Sequence, residues 1–132
     1  MKKFNVLIVD DNPDHLTSIE AIVLRNNHTP FRATGYDEAI KILQSGLKID
    51  ILITDLKMKN ELDGIKLCKY VKKNHPAADR ILITSFMEIL DTSSIDFSEF
   101  SLTMKVAEAA HRLKSLFDER AAKIQLVNRN EE

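Results

Sequence analysis

Hydrophobic residues along this chain fall into short runs, separated by longer stretches in which they recur every three or four positions. Three runs, at 4–9 (FNVLIV), 49–54 (IDILIT) and 80–84 (RILIT), are only five or six residues long and rich in Ile and Val. Such runs fit strands buried on both faces, as in a parallel sheet. Between them, Leu16, Ile19, Ile22 and Val23 share one helical face, Ala39, Ile40 and Leu43 a second, and Ile65, Cys68, Tyr70 and Val71 a third. The most regular stripe comes last: Val106, Ala109, Ala110, Leu113, Leu116, Phe117, Ala121 and Ile124. Alternating strands and helices predict right-handed crossovers and a doubly wound α/β layered domain.

Local punctuation agrees with that pattern. Asn12 is placed to cap a helix that begins at Pro13, where a missing N–H costs nothing. Gly46 stands where a left-handed stop should end the second helix. Asp63 is expected to cap the third, and Pro76 forbids its continuation past Asn74 or His75. The run around Pro30 (HTPFRA) is the weakest strand, and proline belongs on a sheet edge because it cannot donate to the ladder. An edge position there satisfies the flavodoxin-like (βα)5 order 2-1-3-4-5. Residues 86–99 predict a short or irregular helix, and 101–104 a fifth strand. The expected domain covers 1–125, with 126–132 as a tail that extends the last helix and frays.

Composition narrows the class. The chain has 132 residues, and 44% hydrophobic with 30% charged is ordinary globular composition. At this size, one domain buries about two-thirds of the surface of its unfolded chain. Nineteen basic against twenty acidic residues leave a formal charge of −1, which excludes nucleic-acid binding driven by bulk charge. A single cysteine, Cys68, excludes an internal disulfide. No apolar run approaches the roughly 20 residues that span a bilayer, and the apolar stretch after Met-Lys-Lys stops at Asp10. The expectation is a cytoplasmic domain, with no nucleic-acid or membrane partner.

In open α/β sheets, ligands bind beyond the carboxyl ends of the strands. Those ends carry Asp10 and Asp11 after the first strand, Asp55 after the third, Thr84 and Ser85 after the fourth, and Lys105 near the end of the fifth. Two carboxylates about 4 Å apart repel by roughly 4 kcal/mol at an effective dielectric near 20. Three together call for a cation, and an all-oxygen donor set suits Mg²⁺ or Mn²⁺. An aspartate beside such a metal can act as a nucleophile toward phosphorus. Metal, ammonium and hydroxyl would together neutralise the transferring group.

The stretches VLIVDDN, ILITDLKM with a following Asp-Gly, ILITS, and the late Lys105 resemble the receiver domain of bacterial two-component response regulators. The similarity covers residues 4 to 120, with its motifs in order. It implies that Asp55 is the phosphoacceptor, with Asp11 ligating Mg²⁺ directly and Asp10 through water. The backbone carbonyl of Lys57 would complete the protein ligands. Thr84 would be the switch hydroxyl and Lys105 the lysine that pairs with the phosphoryl group; Ser85 is the rival for the hydroxyl role. The implied donor is a phosphohistidine on a histidine kinase or a histidine phosphotransfer protein. Output would pass by binding a downstream protein, through the face of the fourth helix, fifth strand and fifth helix, from a monomer or weak dimer. With no room for an output domain, the expectation is a stand-alone unit. Lys57 and Phe86 flank the expected path of attacking water and would tune the lifetime of the phosphoryl group.

The sequence departs from that pattern in places. Val106 follows Lys105 where the family usually has proline, and a trans bond is expected there. The loop after Asp55 lacks the usual proline and is one residue longer; the fifth strand offers Leu102, with Phe100 two residues earlier, in place of a switch aromatic. The alternative is a receiver-like adaptor that binds a partner without phosphorylation. A phosphohydrolase with an aspartyl nucleophile is a third reading, disfavoured because Lys57 and Asn12 stand where its acid–base Asp belongs. His15 lies on the first helical turn near the acidic group, where a phosphohistidine or metal role is the alternative to the solvated surface position expected of it. His28, His75 and His111 lack ligand spacing and are expected at the surface, and Cys68 in the core.

Overall fold

In a computed structural model of the chain, the described residues are 2–60, 62–84 and 97–131, with side chains of the final helix described as far as Leu126. Five parallel strands, β1 (Asn5–Val9), β2 (Thr29–Ala33), β3 (Ile51–Thr54), β4 (Asp79–Thr84) and β5 (Leu102–Lys105), form one sheet in the order 2-1-3-4-5. Pro30 lies on the edge strand β2, as expected. The helices are α1 (Pro13–Arg25), α2 (Tyr36–Gln44), α3 (Asp63–Asn74) and α4 (Ala109–Glu131), with a 3-10 turn at Val106–Glu108. The region 86–99, expected to hold an irregular helix, lies outside the described residues except for a 3-10 turn at Phe97–Glu99.

Alternation along the strands splits the core into two layers. Val6, Ile8, Ile51, Ile53, Ile81 and Ile83 face α1 and α4, where they meet Leu16, Ile19, Val23, Leu113 and Phe117. Leu7, Val9, Leu52 and Leu82 face α2 and α3, where they meet Ala39, Leu43, Leu67, Cys68 and Val71. Strands buried on both faces explain their unbroken apolar runs. Of the predicted stripes, Ile22, Ile40, Tyr70, Val106, Leu116, Ala121 and Ile124 are half-buried, and Ala110 is exposed because it points from α4 away from the sheet. The helix backbone continues through the expected tail to Glu131.

Most termini follow the sequence. Asn12 caps α1, its side-chain oxygen accepting from the N–H groups of Asp14 and His15. Gly46, with φ of +90°, turns the chain after α2, and α3 ends at Asn74. Asp63 is a correction: Leu62 is the N-cap of α3, and the buried Asp63 carboxylate reaches back to accept from the Asn60 N–H at 3.0 Å. It braces the preceding loop because the Gly64 and Lys66 N–H groups already bond the carbonyls of Leu56 and Leu62.

At the opposite end of the sheet, Arg120 ties α4 down. It donates to Asp79 at 2.7 Å, lies 3.8 Å from Asp50, and sits over the Phe4 ring. His28 is also a correction. It is half-buried between the rings of Phe4 and Phe117, and its Nδ1 accepts from the Phe4 N–H at 3.1 Å. Stacking on the Phe4 ring and tilted contact with the Phe117 ring outweigh the hydration that favours a surface histidine.

Candidate functional site

The strand register assembles the acidic group. Val9 pairs with Thr54, and the ladder runs one step further through the Asp55 N–H, which donates to the Val9 carbonyl at 3.1 Å. Asp10 and Asp55 therefore leave neighbouring central strands at the same level. Both are buried, at 3% and 4% exposure, whereas Asp11 is exposed. Asp10, Asp11 and Asp55 each offer a carboxylate oxygen, and those three oxygens lie within 4.8 Å of one another.

Hydrogen bonds fix the two buried members. The Thr54 hydroxyl donates to the Asp55 backbone carbonyl at 2.8 Å, and the Leu56 N–H donates to Asp55 Oδ1 at 2.8 Å. Asp10 Oδ1 accepts from the Asn12 N–H at 2.9 Å, and Asp10 Oδ2 lies 3.2 Å from His15 Nδ1. Burial pushes the Asp10 carboxyl above the usual carboxylate range; the Asn12 N–H and His15 oppose that rise, and the Asp11 charge adds to it.

The loop after Asp55 alternates inward and outward. Leu56 and Met58 are buried, and Lys57 between them is exposed. This short zigzag anchors the chain where α3 begins. Gly64 completes the anchorage: a Cβ at this position would lie 2.2 Å from the Asp55 carbonyl oxygen. No side chain fits between α3 and the end of β3, so α3 packs directly onto the Asp55 backbone. Asp11 opens onto a concavity between the start of α2 and this loop, with Thr34, Lys59, Asn60 and Lys66 on its walls.

Thr84 is buried at the end of β4 and pairs in register with Lys105, which is exposed at the end of β5. These two side chains thus stand at the same edge of the sheet as the carboxylates. No cis peptide bond occurs among the described residues, so Lys105 is joined to Val106 in trans, and the Lys105 N–H donates to Glu108 Oε1 at 3.1 Å. Ser85 and Phe86 lie outside the described residues. Sequence patterning put His15 near the acidic group but favoured a solvated position, and the structure has it half-buried against Asp10 instead. A signal was available: side chains tilt toward a helix N-terminus, so a residue in the first turn of α1 leans back over the end of β1.

The three carboxylates make an oxygen-only donor set at the sheet edge, which suits a hard divalent cation. The chain is similar to several known proteins. The "Transcriptional regulatory protein ZraR" of Salmonella typhimurium is 26% identical over 102 residues, covering 72% of this chain and 22% of that protein. A "Putative response regulator NtrX-like" protein of Rickettsia bellii is 32% identical over 85 residues, covering 64% of this chain and 18% of the relative. The chain thus spans about a fifth of the length of these curated relatives. Among solved structures, response regulator protein TrrA of Thermotoga maritima, in complex with Mg²⁺–BeF, superposes with a TM-score of 0.74 at 21% identity, covering 89% of this chain and 98% of that one. A response regulator receiver protein from Pseudomonas putida gives 0.73 at 21% identity, over 90% and 98% of the two chains. The family profile described as "Response regulator receiver domain" matches residues 6–95, from β1 past the end of β4. This chain therefore belongs to the response regulator receiver domain family.

Proposed function

We propose that the chain is a phosphoacceptor receiver, which takes a phosphoryl group from a phosphohistidine onto Asp55. The observation that carries this reading is the convergence of three carboxylate oxygens within 4.8 Å at the carboxyl edge of the sheet. Asp55 is the nucleophile. One of its carboxylate oxygens bonds to phosphorus as the phosphorus–nitrogen bond of the donor breaks, and the electron pair returns to that nitrogen, so that a donor ring protonated on its other nitrogen leaves as neutral imidazole. Asp10, Asp11, Asp55 and the backbone carbonyl of Lys57 would hold Mg²⁺, or Mn²⁺, which supplies positive charge against the phosphoryl oxygens when bound. The Thr84 hydroxyl donates to one phosphoryl oxygen and the Lys105 ammonium pairs with another. The hydrogen bonds on the Asp55 carbonyl and on Oδ1 keep the nucleophile from swinging away.

The donor is a histidine kinase or a histidine phosphotransfer protein, and the output is contact with a second protein in the cytoplasm. Residues 1–125 form the receiver unit, with 126–132 as a helical extension. Among the described residues, no helix is long and apolar enough to cross a membrane. A non-switching adaptor is the second reading, favoured by the trans Lys105–Val106 bond and by half-buried Leu102 on β5 in place of an aromatic. Incubation with phosphoramidate and Mg²⁺, followed by intact mass spectrometry, separates the two. Phosphorylation adds about 80 Da, requires the metal, and disappears in Asp55→Ala. A wild-type chain that gains no mass with phosphoramidate, acetyl phosphate or a phosphorylated phosphotransfer protein is an adaptor.

A further inference from the structure

We infer that His15 is a positioning residue for the cation site, its Nδ1–H holding the Asp10 carboxylate turned toward Asp11 and Asp55. The inference rests on the proposed role of that cluster in binding a divalent ion. Asp10 is buried, so protein donors rather than water set its orientation. Its two oxygens are held separately, Oδ1 by the Asn12 N–H at 2.9 Å and Oδ2 by His15 Nδ1 at 3.2 Å. An ionised carboxylate only accepts, so the proton in the second bond resides on Nδ1. Each carboxylate oxygen keeps a further lone pair for an ion or its water.

The imidazole is itself held in place. Its residue belongs to the first turn of α1, its N–H lies 3.4 Å from the capping Asn12 oxygen, and neighbouring Leu16 is fully packed in the core. Only 25% of the His15 side chain is exposed. Asn12 serves both ends of this arrangement, by its backbone toward Asp10 and by its side chain toward His15. Without the imidazole, Asp10 keeps one anchor, and repulsion from Asp11 turns its second oxygen away from the cluster. Partners that orient a metal-binding carboxylate commonly govern affinity by about 10–100-fold. A histidine acting only as a nearby positive charge predicts the reverse sign, because its removal from an acidic cluster would tighten cation binding.

The test is calorimetric titration of Mg²⁺, with Mn²⁺ binding followed by electron paramagnetic resonance, on the full chain and four variants. His15→Ala is expected to weaken both ions by about tenfold or more. His15→Asn, whose amide nitrogen stands the same number of bonds from Cα as Nδ1, is expected to recover binding to within about threefold of wild type. His15→Leu fills the space without a donor and should behave as His15→Ala. Thermal melts in EDTA identify any variant whose fold is lost, and the remaining variants decide the result. Unchanged or tighter binding in His15→Ala or His15→Leu overturns the inference, as does failure of a folded His15→Asn to recover. Asp11→Asn distinguishes the two levels. If it abolishes wild-type binding while His15→Ala leaves it intact, only the role of His15 fails. If the wild-type chain binds neither ion, the cation site fails and His15 with it.

Discussion

Gly64→Ala is the substitution whose cost the structure sets most directly. The added Cβ would stand 2.2 Å from the Asp55 carbonyl oxygen, 2.9 Å from Leu56 Cα and 3.0 Å from the Leu56 carbonyl oxygen. Ordinary contact begins near 3.4 Å, so the first of these is about 1.2 Å too short. All three obstacles are backbone atoms, so no side-chain rotation relieves them. The start of α3 must move away from the end of β3, which strains or breaks the 3.0 Å bond from the Gly64 N–H to Leu56. Overpacking costs about 1–3 kcal/mol and the hydrogen bond about 1 kcal/mol, while the helix preference of Ala over Gly returns up to about 1 kcal/mol. The net destabilisation is about 2 kcal/mol, which lowers the melting temperature of a domain this size by about 6–10 °C. Gly35→Ala is the contrasting control: its backbone is extended, with φ of −174°, and nothing lies within 4 Å, so only the poorer N-cap preference of Ala at the start of α2 is felt, about 1 kcal/mol or less. Because the displaced backbone carries Asp55, the Mg²⁺-dependent mass gain should slow in Gly64→Ala and not in Gly35→Ala. A Gly64→Ala protein that melts within about 1 °C of wild type would refute the packing argument.

Two further outcomes follow from groups buried away from the acidic edge. Burial lowers the pKa of His28, and its Nδ1 must be unprotonated to accept from the Phe4 N–H. Its contribution to stability is therefore complete above the ordinary value of 6.5 and is lost as pH falls through the lower folded pKa. In urea melts, the stability gap between wild type and His28→Gln should shrink from pH 7.5 to pH 5; a constant gap would contradict this. Cys68 is fully buried and its thiol is pushed up to about 12, first by burial. Native protein should resist iodoacetamide and label fully in 8 M urea; rapid stoichiometric labelling of the native chain would place the thiol elsewhere.

The sheet order was legible because one residue, Pro30, constrained it: a strand that cannot donate at its centre goes to an edge. The cap at Asn12 and the left-handed turn at Gly46 were legible for the same reason, since each depends on chemistry within a few residues. Asp10, Asp11, Asp55, Thr84 and Lys105 could be brought to one edge because strand ends are marked where apolar runs stop. What escaped depends on contacts distant in sequence or on a turn of helix. His28 looks solvated until Phe4 and Phe117 close on it from the first strand and the last helix. Asp63 has the composition of a cap, yet the tight seat of Gly64 satisfies the helix start by other means and leaves the carboxylate to the loop. Ala110 carried no polar mark to show that the apolar stripe of α4 had rotated off the sheet there.

The edge strand β2 has a consequence for how copies of this domain can meet. Thr29 sends its N–H inward to the Phe4 carbonyl, so along a parallel ladder residues 29, 31 and 33 face β1, and 30 and 32 face outward. Residue 30 is proline and has no N–H, which leaves Arg32 as the one outward amide donor on this strand; its side chain, meanwhile, lies 3.5 Å from Glu20 on α1. An incoming strand would find half the amide rungs missing and a bulky guanidinium beside the remainder. Lateral stacking of sheets into a continuous ribbon is blocked on this flank, and recognition between molecules here falls to side chains on helices and loops.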